Sequence, residues 1–202
     1  AAALALAGSA HAASFTVDST GDGFDAGLDG ICATATGECT LRAALMEAAA
    51  NGEPDTVAFD VATPATIDVL WPLPTLTDVD VQGPGADQLT VRRPADAESA
   101  FPVFITFQLL SGEDPVRIAG LTITGGLTGS DGSEGLLGGG ISAQGDLVVE
   151  DAVVEGNTTR TDLGGAALGG GIGVLLGDLT LRRSTIRGNT AIVGEASAAA
   201  VA

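Results

Sequence analysis

GDLVVEDAVVEGN (Gly145–Asn157) recurs 32 residues later as GDLTLRRSTIRGN (Gly177–Asn189). A looser copy, Pro115–Gly126, lies 31 residues before the first. Three positions are apolar in every copy: Val116/Leu147/Leu179, Ile118/Val149/Leu181 and Ile123/Val154/Ile186. Within a copy the apolar spacing is two, broken once, which describes two short strands meeting at a bend. The change of phase at the bend turns the apolar side chains of both strands toward one interior. A unit this short cannot bury an apolar face by itself, whereas stacked copies can, each strand pairing with its equivalent in the next copy. Helical periodicity is absent from the repeat. The reading is all-β, a parallel β-helix, with the right-handed crossover that parallel strands in one sheet almost always adopt.

The same interval separates two runs of Gly-Gly-Gly-Ile, at Gly138–Ile141 and Gly169–Ile172. They mark where the chain re-enters the repeat after a loop, and glycine there permits tight turning and close backbone approach. Gly156-Asn157 and Gly188-Asn189 fall where each repeat turns; both residue types tolerate a left-handed backbone. Asparagines stacked in adjacent repeats can join their amides in a hydrogen-bonded ladder. A phosphate-cradling role for the glycines is excluded by the lack of any following Gly-Lys-Ser/Thr.

With 202 residues the chain is long enough for one domain with a substantial core. Aromatic residues are 3% against 45% hydrophobic residues, so that core must be aliphatic. The formal net charge of −18 repels nucleic acid and anionic lipid. At the N-terminus, Ala1–Gly8 is apolar and small, and Ala10-His11-Ala12 has the A-x-A form of an export cleavage site. Residues 1–12 are therefore expected to be a signal-peptide remnant and the mature chain to be secreted. It would then lack His11, the only histidine, and with it histidine-based catalysis. No later stretch is apolar for long enough to span a membrane. In an exported chain the only two cysteines, Cys32 and Cys39, are expected to form a disulfide.

Cys39–Gly52 carries helix signals: Thr40 as N-cap, Leu41, Ala44, Leu45 and Ala48 on one face, and Asn51-Gly52 as a stop. A stack of strands needs its first edge covered, and this short helix, following an edge strand at Phe15-Thr16-Val17, is a plausible lid. The run FTVDST…GDG…DGICATATGECTLRAALMEAAANG…DTVAFDV resembles the CSLREA domain at the N-terminus of secreted bacterial β-helix proteins. DVDVQGPGADQLTV, IAGLTITGG and the GGGI…GNTA segments resemble the repeats of the same group, within the pectin-lyase-like superfamily. The resemblance implies a fold and export but no reaction. It divides the chain into residues 13–55, an N-terminal cap, and residues 56–202, the β-helix, which is expected to be truncated, with further repeats or an anchoring domain beyond it. One departure has a physical consequence. Where the family has Glu, this chain has Ala43, so the reciprocal half of a capping box is missing and the helix start is expected to be weak. Ala43→Glu should then raise thermal stability.

No residue is assigned a catalytic role, and no cofactor is expected. Stacking places Arg183 near Asp151 and Arg187 near Glu155, a pattern of exposed cross-strand ion pairs rather than a catalytic group. Asp18, Asp22, Asp25 and Asp29, separated by glycines, offer oxygen ligands for calcium, although Asp-Gly is equally ordinary turn chemistry. Asn157-Thr158-Thr159 matches a glycosylation sequon, but the bacterial resemblance makes it uninformative. The functional expectation is a secreted or surface-displayed module, adhesin-like or structural, presenting loops such as Gly125–Leu137 and Thr158–Leu168 to a carbohydrate or cell-surface partner. The alternative is a polysaccharide lyase or glycoside hydrolase, which requires carboxylates and a base converging in one groove.

Overall fold

A computed structural model describes residues 12–108, 114–129, 137–161 and 167–194. The expectations for Ala10 and His11, for the middles of the two loops and for the chain after Gly194 fall outside these residues. β1 (Ser14–Val17) precedes α1 (Leu41–Asn51), the one helix among the described residues. β2 (Asp55–Phe59), β3 (Ala65–Asp68), β4 (Val79–Gln82) and β5 (Leu89–Arg92) follow. The next repeat holds β6 (Phe104–Phe107), β7 (Val116–Ala119), β8 (Thr122–Thr124) and β9 (Leu127–Thr128). It is succeeded by β10 (Ile141–Gln144), β11 (Leu147–Glu150), β12 (Val153–Glu155) and β13 (Thr158–Thr161). The last repeat is β14 (Ile172–Leu175), β15 (Leu179–Arg182), β16 (Thr185–Arg187) and β17 (Thr190–Val193).

Every pairing between these strands is parallel and joins equivalent strands of neighbouring repeats. Four sheets result, in the orders β1-β2-β4-β7-β11-β15, β14-β10-β6, β16-β12-β8-β5-β3 and β17-β13-β9. The molecule is therefore all-β in parallel sheets, apart from α1. Each full repeat contributes four strands where the apolar pattern signalled two. The additional ones begin at the isoleucine of Gly-Gly-Gly-Ile and just after the turn asparagine. Thr158–Thr161, expected to open a variable loop, is strand, and Leu127–Thr128 is its counterpart in the loop before. Their threonines and glycines lack the apolar alternation that identifies a strand in sequence.

Register explains the core. Phe15, Val57, Val81, Ile118, Val149 and Leu181 are successive partners in one column. Ile67, Val91, Ile123, Val154 and Ile186 form a second. Both columns are buried until the last repeat, where Leu181 is 45% and Ile186 41% exposed. The bend between the first two columns is a left-handed residue: Gly120 (φ 65°), Asp151 (φ 48°) and Arg183 (φ 49°). One residue there supplies the change of phase that lets Val149 and Val154 share an interior.

The glycines of the Gly-Gly-Gly-Ile runs lie where backbone crosses backbone. A Cβ on Gly140 would sit 2.8 Å from the Asn157 amide, and one on Gly171 2.6 Å from that of Asn189. The repeat is too narrow at this point for any side chain. Gly156 (φ 63°) and Gly188 (φ 60°) make the preceding turn. Asn157 is fully buried. Its Nδ2 donates to Ile123 O, Glu155 O and Asn189 Oδ1, and its Oδ1 accepts from Gly126 N. Asn189 Nδ2 donates to Val154 O. The sequon at Asn157 is thus buried in the fold.

At the other end α1 packs on β1 and β2. Thr40 Oγ1 caps it, accepting from Ala43 N at 3.1 Å and donating to Gly23 O at 2.6 Å. Cys32 and Cys39 are disulfide-bonded. The predicted face of α1 is buried, but so are Arg42, Ala43 and Glu47. The forward half of the expected cap is present, and position 43 holds an alanine that supplies no reciprocal bond. Ala43 is fully buried, and the start is held by Thr40 and by the contacts of Arg42 described below.

Candidate functional site

Alternate residues of a strand face outward, and on the six-stranded sheet that face carries charge. Asp80 and Arg117 are register partners on β4 and β7. Arg117 donates to Asp80 Oδ1 at 2.8 Å and, from Nη2, to Glu150 Oε2 at 2.9 Å. The other oxygen of Glu150 accepts from Arg183, which also grips Asp151 through two bonds of 2.7 and 2.8 Å. One chain of charges, Asp80–Arg117–Glu150–Arg183–Asp151, thus runs across four strands' worth of repeats. Arg187 donates to Glu155 Oε2 at 2.6 Å, and Arg92 to Asp68 Oδ1 at 2.7 Å. The two expected pairs, Asp151 with Arg183 and Glu155 with Arg187, are in contact. Arg117, Asp80 and Glu150 were not singled out from sequence; opposite charge at equivalent positions was a signal for Asp80 with Arg117, but not for Arg117 with Glu150, which are offset along their strands.

These contacts drive Glu150, Asp151, Arg117 and Arg183 further into their charged forms. Hydrogen bonds from Arg117 and then Arg183 hold the Glu150 carboxyl below the usual range. Arg183 does the same to Asp151. Arg183 is raised by Asp151 and Glu150. Arg117 is raised although burial pulls it down, because the hydrogen bonds it donates to Glu150 and Asp80 outweigh that cost. An open depression of about 440 Å³ beside this chain is lined by Gln82, Pro84, Arg117 and Asp151. Both of its charged groups are already turned to partners.

Arg93 behaves differently. It is buried, and burial lowers its pKa. Its donors go to backbone: Nε to Ser99 O at 2.9 Å, Nη2 to Ser99 O and Ala97 O, and Nη1 to Pro94 O. It staples the loop after β5 rather than facing a ligand.

The acidic loop is also committed. Asp18 accepts from Cys39 N, Asp25 from Gly27 N and Ala33 N, and Asp29 from Ile31 N. Asp22 takes both ends of the Arg42 guanidinium at 2.9 Å. The four carboxylates point to different places, and no group of three or more acidic, histidine or cysteine side chains gathers among the described residues. The geometry therefore supplies no argument for calcium at this loop.

One apolar groove, of about 430 Å³, lies against the sheet of β6, β10 and β14. Ile105, Phe107, Leu137 and Leu175 line it together with Thr75, Ser142 and Gln144. Thr106 also borders it, and its Oγ1 is buried without a hydrogen-bond partner. Among the described residues no charged side chain lines the groove. Among the described residues no helix is long and apolar enough to cross a membrane.

Fold and site together define a parallel all-β repeat protein whose outer charges are paired across repeats. No family model, curated protein or solved structure matches the chain.

Proposed function

We propose that the chain is a right-handed parallel β-helix of the secreted, CSLREA-type group, acting as a non-catalytic adhesin-like or structural module at the cell surface. The observation that carries this reading is the direction in which the outer charges are driven. A general acid needs a carboxyl held above its usual range, and an arginine base needs a lowered pKa. Glu150 and Asp151 are pushed the other way, and so are Arg92, Arg117 and Arg183. Arg93 is lowered, but three backbone carbonyls hold it.

Four sheets of parallel strands, with partners 31 or 32 residues apart from β7 onward, support the β-helix. The Cys32–Cys39 disulfide suits an oxidising compartment, which fits export. Ion pairs that join neighbouring repeats suit a display scaffold. The test is retention of the purified chain on immobilised surface polysaccharides and on whole cells. Saturable retention that Arg183→Gln leaves intact is the expected result. If retention vanishes with that substitution, the charge ladder is the binding site and the scaffold reading fails.

A further inference from the structure

Large exposed apolar side chains collect at two poles of the molecule. One set belongs to the last repeat, Leu175–Val193. The other surrounds α1: Phe24 (57% exposed), Leu28 (61%), Ile31 (66%), Leu70 (49%) and Trp71 (44%). The second set does not consist of core positions at an open strand edge. It is held outward by a buried hub. The Arg42 side chain is 2% exposed and its partner Asp22 6%. Arg42 also donates to Trp71 O and Pro72 O, both at 2.7 Å, while Asp22 accepts from Leu70 N at 2.8 Å. The Phe24 ring lies over the same guanidinium, 5.0 Å from its carbon. Five residues further along α1, buried Glu47 accepts from Asp29 N and Gly30 N, which fixes the loop carrying Leu28 and Ile31.

A rigid display of aromatic and aliphatic side chains forgoes their burial, and such patches mark interaction surfaces. The charge around this one selects the partner. Between Ala13 and Asp60 there are nine acidic residues, of which Glu47 and Asp55 are buried and Asp22 is paired with the one basic residue, Arg42, which leaves six carboxylates and no free cation in this segment. We propose that this pole docks a basic amphipathic peptide segment of another protein, its apolar face on Phe24, Leu70 and Trp71 and its cationic flank toward the acidic surround. The inference is independent of the scaffold reading above.

Trp71 is the only tryptophan in the chain, so its fluorescence reports on the site directly. A tryptophan-free amphipathic lysine/leucine peptide is titrated against the full chain at low and high salt. A saturable blue shift is expected, weakened at least ten-fold by high salt and ten-fold or more by Leu70→Ser. Because Leu70 lies close to the hub, the doubly exposed variant Leu28→Ser/Ile31→Ser serves as a second test and should weaken binding while leaving the melting temperature unchanged. A glutamate/leucine peptide of the same pattern should give no shift. Three results would overturn the proposal: no shift with the cationic peptide, an equal shift with the anionic one, or an equal shift with zwitterionic vesicles, which would make the pole a lipid-facing surface.

Discussion

Asn157 has both ends of its amide committed inside the fold, to the repeat before it and the repeat after it. Removing the amide strands buried backbone groups, each costing ~1–3 kcal/mol. Asn157→Ala is expected to lower unfolding free energy by about 3 kcal/mol in denaturant titration, and Asn189→Ala, in the half-exposed last turn, by only about 1 kcal/mol. Arg183 makes a different prediction. Glu150 and Asp151 have depressed pKa values in the fold, so their pairing stabilises the protein fully above the unfolded carboxylate pKa, about 4. That stabilisation is lost as pH falls through the lower folded values. The melting temperatures of the native protein and Arg183→Gln should therefore differ by a constant amount above about pH 5 and converge below about pH 4. Protonation also relieves the general repulsion of a chain carrying −18, but this acts on both proteins and cancels in the difference.

Among the elements, α1 joins the cap to the sheets. Its start was legible in Cys39–Gly52: Thr40 caps it, and Gly52 ends it with a left-handed backbone (φ 71°). What could not be read was the use of its polar residues. Arg42 and Glu47 look like the solvent face of an amphipathic helix, yet both are buried, because the acidic loop folds over them and supplies partners 17 to 20 residues away. Such pairings depend on where a loop returns, which local spacing does not encode. Thr40→Ala should cost about 1 kcal/mol. Arg42→Ala, which leaves Asp22 buried without its partner, should cost ~3–5 kcal/mol. Ala43→Glu, first expected to complete a capping box, should instead lower the melting temperature, since it places a carboxylate at a fully buried position.

Over the whole molecule, stability is set by contacts between neighbouring repeats, so the cost of a core truncation should depend on its place in the column. Ile118→Ala, with a repeat on either side, should cost about 3 kcal/mol, and Leu181→Ala, at 45% exposure, less than about 1 kcal/mol. Two of the four sheets and the stacking itself were legible because Leu147, Val149 and Val154 keep step with Leu179, Leu181 and Ile186. The sheets built on Ile141–Gln144 and Thr158–Thr161 were not, since Ile-Ser-Ala-Gln and Thr-Thr-Arg-Thr carry no apolar alternation, and the glycines before the first serve close passage past Asn157. Of the charge ladder, sequence offered Asp151 with Arg183 and Glu155 with Arg187. The continuation through Glu150 and Arg117 to Asp80 depends on a diagonal reach across strands that only the register shows.

The proposed role of the charge ladder is to stabilise stacked repeats, without a part in any reaction. The most direct measurement incubates the native chain and Arg183→Gln with acidic and neutral polysaccharides and follows fragment release by mass spectrometry. Neither protein is expected to shorten any polymer. Fragments released by the native chain and abolished by Arg183→Gln would contradict that role and make Arg183, Glu150 and Asp151 an active site.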